Sequence, residues 1–223
     1  NHPYIANTVR FPDGRVIESI MARAQKFFKD RKTYEKWRGE SVEVCAEDVS
    51  FAIDKIEWLA SQGDEFWKHV DTKHIGAIGQ SFGGAVALRA TRKDKRIKCG
   101  VNMDERLDPE DVDKPFTTPF LFLMGEKSHQ WFKKEKLDEV MRLTKTKRTN
   151  MYTVMFKDVA HGLFCDIPRY SRITLFTKFM IGQDNLKQGI PIGKVIDLFE
   201  NKVIPYTVEF LEKYLKNKPS KIF

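Results

Sequence analysis

Apolar and polar positions along the chain change period in a regular order. From Val44 to Ala60, "VCAEDVSFAIDKIEWLA", apolar residues recur at Cys45, Val49, Ala52, Ile53, Ile56 and Leu59 or Ala60. That is helical spacing, with charged residues on the opposite face. "SQGDEF" then stops the helix. His74 to Gly79 reads as a short strand and Ala85 to Thr91 as a helix. Arg96 to Met103, "RIKCGVNM", and Pro119 to Gly125, "PFLFLMG", read as strands. The second is apolar without alternation, as expected of a strand covered on both faces. A charged amphipathic helix is predicted over 131–143 and a strand over Met151 to Phe156. Two closing helices are predicted near 171–181 and 194–216, the latter broken at Pro205.

Strands that alternate with helices predict a mostly parallel sheet flanked by helices, an α/β fold. In such sheets the chemical groups sit on loops at the carboxyl ends of the strands. Ser81, Asp104 and His161 all fall at such places.

Length and composition narrow the class. The 223 residues fit a single domain, and no apolar run approaches the roughly 18 residues of a membrane span. The net charge of +8 is spread along the chain, denser at "TRKDKRIK" and "KNKPSK". No recognisable nucleic-acid-binding motif gathers it, so no nucleic-acid partner is expected. A mild attraction to anionic surfaces, membranes included, is the more natural consequence. Cys45, Cys99 and Cys165 are odd in number and widely spaced. They fit neither a disulfide framework nor a metal site and lean towards a reducing, cytoplasmic compartment. The opening residues lack the basic start and apolar stretch of a secretory leader. The chain does not open on Met, which leaves a processed, secreted protein as the alternative.

"AIGQSFGGA", Ala77 to Ala85, carries the first candidate chemistry. G-x-S-x-G between an apolar strand and a helix is the nucleophile turn of the α/β-hydrolase fold. The turn strains the backbone at the serine and requires small neighbours two positions away, here Gly79 and Gly83. The Ser81 hydroxyl then stands at the top of the sheet. The backbone N–H of Phe82 opens the helix and can face a developing oxyanion. The competing reading is a glycine turn with a hydrogen-bonded serine.

A serine hydroxyl needs a base beside it. Five histidines are available. His161, in "DVAHGLF", follows the last strand, where this fold carries its base, and Gly162 lets the loop turn closely. His129, after "PFLFLMG", is the competitor. The acid that orients the base is either Asp104, at the end of "GVNMD", or Glu126, the carboxylate after "PFLFLMG". Asp104 is preferred. Asp108 and Asp111, in "RLDPEDVDK", read as part of a solvated acidic loop.

These segments, "IGQSFGGA", "KCGVNMD", "PFLFLMGE" and "VAHGLF", closely resemble the platelet-activating-factor acetylhydrolases of the plasma and type II kind. That family lies within the dienelactone-hydrolase-like α/β-hydrolases. The resemblance runs from about Ile75 to the C-terminus. It includes "IPIGKVIDLFENKVIPYTVEFLEKYL", which looks like the family's closing helix. The resemblance implies a calcium-independent serine esterase that releases short or oxidised acyl chains from the sn-2 position of phospholipids. The intervals from Ser81 to Asp104 and from Asp104 to His161 are close to the family pattern. The family places its acid after the earlier strand, which favours Asp104. No metal or organic cofactor is implied.

One departure matters. The family carries "HG" and small residues in a loop ahead of the nucleophile turn, and that loop supplies the second oxyanion N–H. No such segment occurs in residues 1–223. The expectation is one α/β-hydrolase domain over 1–223 that lacks its N-terminal strands and oxyanion loop, with a preceding segment of the same protein as partner.

The substrate is expected to be a phospholipid or small ester. Phe164, Leu163 and Trp131, with Phe82 and Phe132, lie near the site loops and are candidates to bound an acyl pocket. "ITLFTKFMI", Ile173 to Ile181, reads as a packed helix, with transient docking on a membrane surface as its alternative. Two further readings stay open: a broader carboxylesterase, lipase or dienelactone-hydrolase-like enzyme, and a catalytically impaired α/β-hydrolase used as a binding module.

Overall fold

The structure, a computed structural model, describes residues 8–10, 12–18, 31–112, 117–126, 128, 150–159, 161–164, 197 and 199–223. The helices predicted over 131–143 and 171–181, the start of the one predicted over 194–216, and residues His129, Trp131, Phe132 and Cys165 lie outside them.

The chain divides into two compact units, Asn1–Cys45 and Ala46–Phe223. The first contains a small antiparallel hairpin, β1 (Thr8–Arg10) and β2 (Val16–Glu18). Its connection runs through Pro12-Asp13-Gly14, and Gly14 has a φ of 87°. The Asp13 carboxylate accepts the Arg15 backbone N–H at 3.0 Å. Asp-Gly is strong turn chemistry, because glycine takes positive φ without a steric penalty. A long helix, α1 (Arg31–Ser61), begins in this unit and continues into the second. It is almost twice the predicted length. Its predicted apolar face is partly displaced: Ala46 and Ile53 are buried, whereas Ala52 is exposed.

The second unit holds a four-stranded sheet in the order β3-β4-β5-β6, parallel throughout. The strands are β3 (Ile75–Gln80), β4 (Ile97–Met103), β5 (Phe120–Gly125) and β6 (Met151–Phe156). Helix α2 (Phe82–Lys93) follows β3, and α3 (Pro109–Val112) is a single turn after β4. A π-helical turn, Phe199–Val203, leads into the closing helix α4 (Ile204–Lys216). Pro205 sits in the first turn of α4, directly after that π-helical turn, and has no backbone N–H to donate back to it. That is why the helical geometry changes there and does not simply break.

Side chains of a strand alternate between the two faces, and the core follows that rule. Phe120, Phe122 and Met124 cluster with Leu88 of α2 on one face. Leu121 and Leu123 cluster with Cys99, Val101 and Phe210 of α4 on the other. All six residues of β5 are buried, which accounts for its unbroken apolar run. On the α2 face, Ala46 and Ile53 of α1 meet Ala90 and Ile97. Burial holds the Cys99 thiol up at about 12, so it is an unreactive packing residue.

The loop after β4 differs from the prediction. Asp108 and Asp111 are buried, at 2% and 1% exposure, where a solvated acidic loop was expected. Arg89 of α2 donates to Asp111 from Nε at 3.1 Å and from Nη2 at 2.9 Å. Arg92 adds an ion pair to the same carboxylate at 3.0 Å. A carboxylate survives burial only when paired and hydrogen-bonded, and two arginines one helical turn apart provide that.

Candidate active site

Three strand ends converge on one spot. β3 ends at Gln80 and α2 begins at Phe82, which leaves Ser81 alone in the turn. Its φ of 55° and ψ of −134° lie outside every region favoured by an L-residue. Such a conformation costs about 1–3 kcal/mol and persists only where its surroundings enforce it. Two hydrogen bonds contribute: the Ser81 N–H donates to Met103 O at 2.9 Å, and Gly84 N–H donates to Ser81 O at 2.7 Å. The first ties the turn to the end of β4, one residue before Asp104.

Gly79 has a steric reason. A Cβ there would stand 1.9 Å from the carbonyl oxygen of Gly83, a backbone atom that cannot swing aside. The same reason does not hold for Gly83, where a Cβ would meet nothing within 4 Å among the described residues. The close approach on the helical side belongs instead to Gly84.

Asp104 directly follows β4 and is 1% exposed. It has a φ of 62°, a left-handed conformation that aspartate tolerates better than most residues. Its N–H donates to Leu123 O at 2.8 Å, and its Oδ1 accepts the Gly125 N–H at 2.7 Å. The end of β5 therefore holds this carboxylate from two directions. The other oxygen, Oδ2, lies 2.8 Å from His161 Nδ1.

His161 opens a 3-10 turn, His161–Phe164, beyond β6. Its Nε2 lies 2.8 Å from Ser81 Oγ. Gln80 Nε2 is 3.5 Å from the same nitrogen, too long to compete with the serine. The Ser81, His161 and Asp104 side chains thus form one continuous hydrogen-bonded line. Glu126 is elsewhere: its carboxylate accepts the Asp158 N–H at 2.9 Å. Phe82 is the first residue of α2, so its N–H belongs to the positive end of the helix dipole. Phe164 is buried in the core beside Phe156, with ring centroids 5.9 Å apart. Leu163 lies in the same 3-10 turn.

Two opposing influences act on the His161 ring. Burial, the larger single one, disfavours the charged form. The hydrogen bond and charge of Asp104, with the charge of Glu105, together outweigh it and hold the imidazolium above its ordinary range. A raised value means that protonation of His161 favours the folded state at low pH, a contribution lost as pH rises through the raised value. Proton acceptance from Ser81 has the opposite dependence, because it needs the neutral ring. The rate at which Ser81 reacts with a fluorophosphonate probe is therefore expected to show its acidic limb at a pH above the ordinary imidazole value. A limb centred below that value would contradict this electrostatic balance.

Two residues of the site were not legible as such. Glu105 is buried beside Asp104, and Asn102 is a fully buried amide in β4 between the apolar Val101 and Met103. The second had a signal, since a buried amide must find hydrogen-bond partners.

A parallel sheet with helices on both faces, and a strained serine between β3 and α2, define an α/β-hydrolase. A ferulic acid esterase from Streptomyces cinnamoneus shares the fold, with a TM-score of 0.62 at 21% identity over 96% of this chain and 58% of that one. Residues 54–217 match the family described as platelet-activating factor acetylhydrolase, isoform II, and the chain belongs to that family. The platelet-activating factor acetylhydrolase of Cavia porcellus is 27% identical over 84% of this chain and 42% of its own length. That of Gallus gallus is 29% identical over 81% of this chain and 43% of its own length. The chain therefore spans less than half the length of these curated relatives.

Proposed function

We propose that this chain carries the nucleophile, base and acid of a serine carboxylic ester hydrolase. The observation behind the proposal is the unbroken line from Ser81 Oγ through His161 to Asp104, with both links at 2.8 Å. In this reading Ser81 Oγ attacks the ester carbonyl while His161 Nε2 takes its proton. The oxyanion forms against the N-terminus of α2, where the Phe82 N–H stabilises it. His161 then gives its proton to the departing alcohol, leaving an acyl-serine. Water attacks that ester with the same base, releases the acid and restores Ser81. Asp104 keeps the Nδ1 proton in place and stabilises the imidazolium that each half-reaction forms.

The proposed substrate is a short acyl ester of a phospholipid, with Leu163 and Trp131 proposed to bound the acyl group. The family and the names of the two relatives support this choice. It is tested with p-nitrophenyl acetate, butyrate and palmitate and with an sn-2 acetyl phospholipid. Acetyl esters are expected to give the highest kcat/KM, with the phospholipid turned over as well. A preference for palmitate would remove the short-acyl assignment and leave the hydrolase reading standing.

A further inference from the structure

Asn102 lies in β4 opposite Gly79 of β3 and is fully buried. Both polar atoms of its side chain are used on a single residue. Oδ1 accepts the Glu105 N–H at 2.9 Å, and Nδ2 donates to Glu105 O at 3.2 Å. The same amide also presses on α2: a methyl group at Gly84 would stand 2.7 Å from Oδ1 and 2.8 Å from Cγ. Glu105 directly follows Asp104, and the Gly84 N–H holds the Ser81 carbonyl. One side chain therefore touches the turn that carries the acid and the turn that carries the nucleophile.

We infer that Asn102 is a positioning residue that holds the Asp104 turn in register with the Ser81 turn. The inference rests on the serine-hydrolase reading. Packing alone does not call for an amide here, because Phe122, the register partner of Asn102 on β5, is apolar and a leucine has similar volume. The amide meets a need that leucine cannot. Glu105 is 6% exposed, and its backbone N–H and C=O require partners. Asp104 is already tied to β5 through Leu123 and Gly125. Asn102 supplies the second tether, from β4 to Glu105. With both in place, a residue at φ 62° keeps its carboxylate 2.8 Å from His161.

The test uses the full-length protein and the rate of fluorophosphonate labelling across pH. Asn102→Ala is expected to slow labelling about tenfold or more, since displacements on the order of 1 Å carry penalties of that size or larger. It should also move the acidic limb to lower pH, because Asp104 would no longer be held against His161. Gly84→Ala, which crowds the amide from the helix side, should change both quantities in the same direction. In Asn102→Ala/Gly84→Ala the missing amide makes room for the methyl group, so labelling should be no slower than in Asn102→Ala alone. A purely structural role would lower the unfolding midpoint and leave the limb in place. Asn102→Ala with the wild-type rate and limb overturns the inference. So does a Gly84→Ala penalty that persists in full without Asn102. If Asn102→Ala fails to fold, Gly84→Ala decides: a slowed rate with a lowered limb supports the inference, and the wild-type rate overturns it. A wild-type protein that takes up no probe defeats the hydrolase reading itself, a distinct failure.

Discussion

Ester turnover by the Ser81→Ala protein is expected to fall by about 10⁴-fold or more, with little change in stability. Among the described residues, Ser81 carries the hydroxyl at the reactive nitrogen of His161, and at 2.8 Å it needs no rearrangement to pass its proton. Without that oxygen no acyl-enzyme can form. The fold should tolerate the change, because alanine meets the same backbone penalty at φ 55° that serine already carries. Both backbone bonds of the turn, to Met103 and from Gly84, are kept. The stability change should therefore stay near the about 0.5–1.5 kcal/mol of one lost hydrogen bond. The check is kcat/KM for p-nitrophenyl acetate together with a urea midpoint. Turnover within tenfold of wild type would remove Ser81 as the nucleophile.

Asp104→Asn is expected to cost a comparable factor, about 10⁴ in kcat, by another route. The asparagine oxygen can still accept the Gly125 N–H, so the side chain keeps its place. Its NH2 then points at His161 Nδ1 and obliges that nitrogen to accept. The ring proton must move to Nε2, where it blocks proton transfer from Ser81 Oγ. The change also removes the charge that outweighs burial at His161, so any residual activity should show its acidic limb at lower pH than the wild type. A variant that keeps its rate and its limb would show that Asp104 is packing and that the orienting acid lies elsewhere.

Much of this arrangement was legible in the sequence where physics acts locally. The apolar run of β5 is continuous because both its faces are covered. The "GQSFG" turn stands out because Gly79 faces a backbone oxygen that leaves no room for a Cβ. Asp104 and His161 could be placed because chemical groups gather at the carboxyl ends of parallel strands. What stayed hidden depends on distant partners or weak periodicity. The first half of α1, "RKTYEKWRGESVE", has too few apolar residues to show a face. Asp111 reads as solvated until Arg89 and Arg92, on another element, are placed against it. Asn102 looks like a polar interruption of β4 until the Asp104 turn folds back over it. The turn chemistry of "FPDGRV" was local, yet its two strands are only three residues long and give no alternating pattern.

The central claim is that Ser81 is a nucleophile activated by His161 and Asp104. Its most direct measurement is peptide mass spectrometry of the full-length protein after reaction with a fluorophosphonate probe across a pH series. One stoichiometric adduct on Ser81 is predicted, with a rate that rises with pH through a midpoint above the ordinary imidazole value. An adduct on another residue, or none at any pH while the protein remains folded, would contradict it.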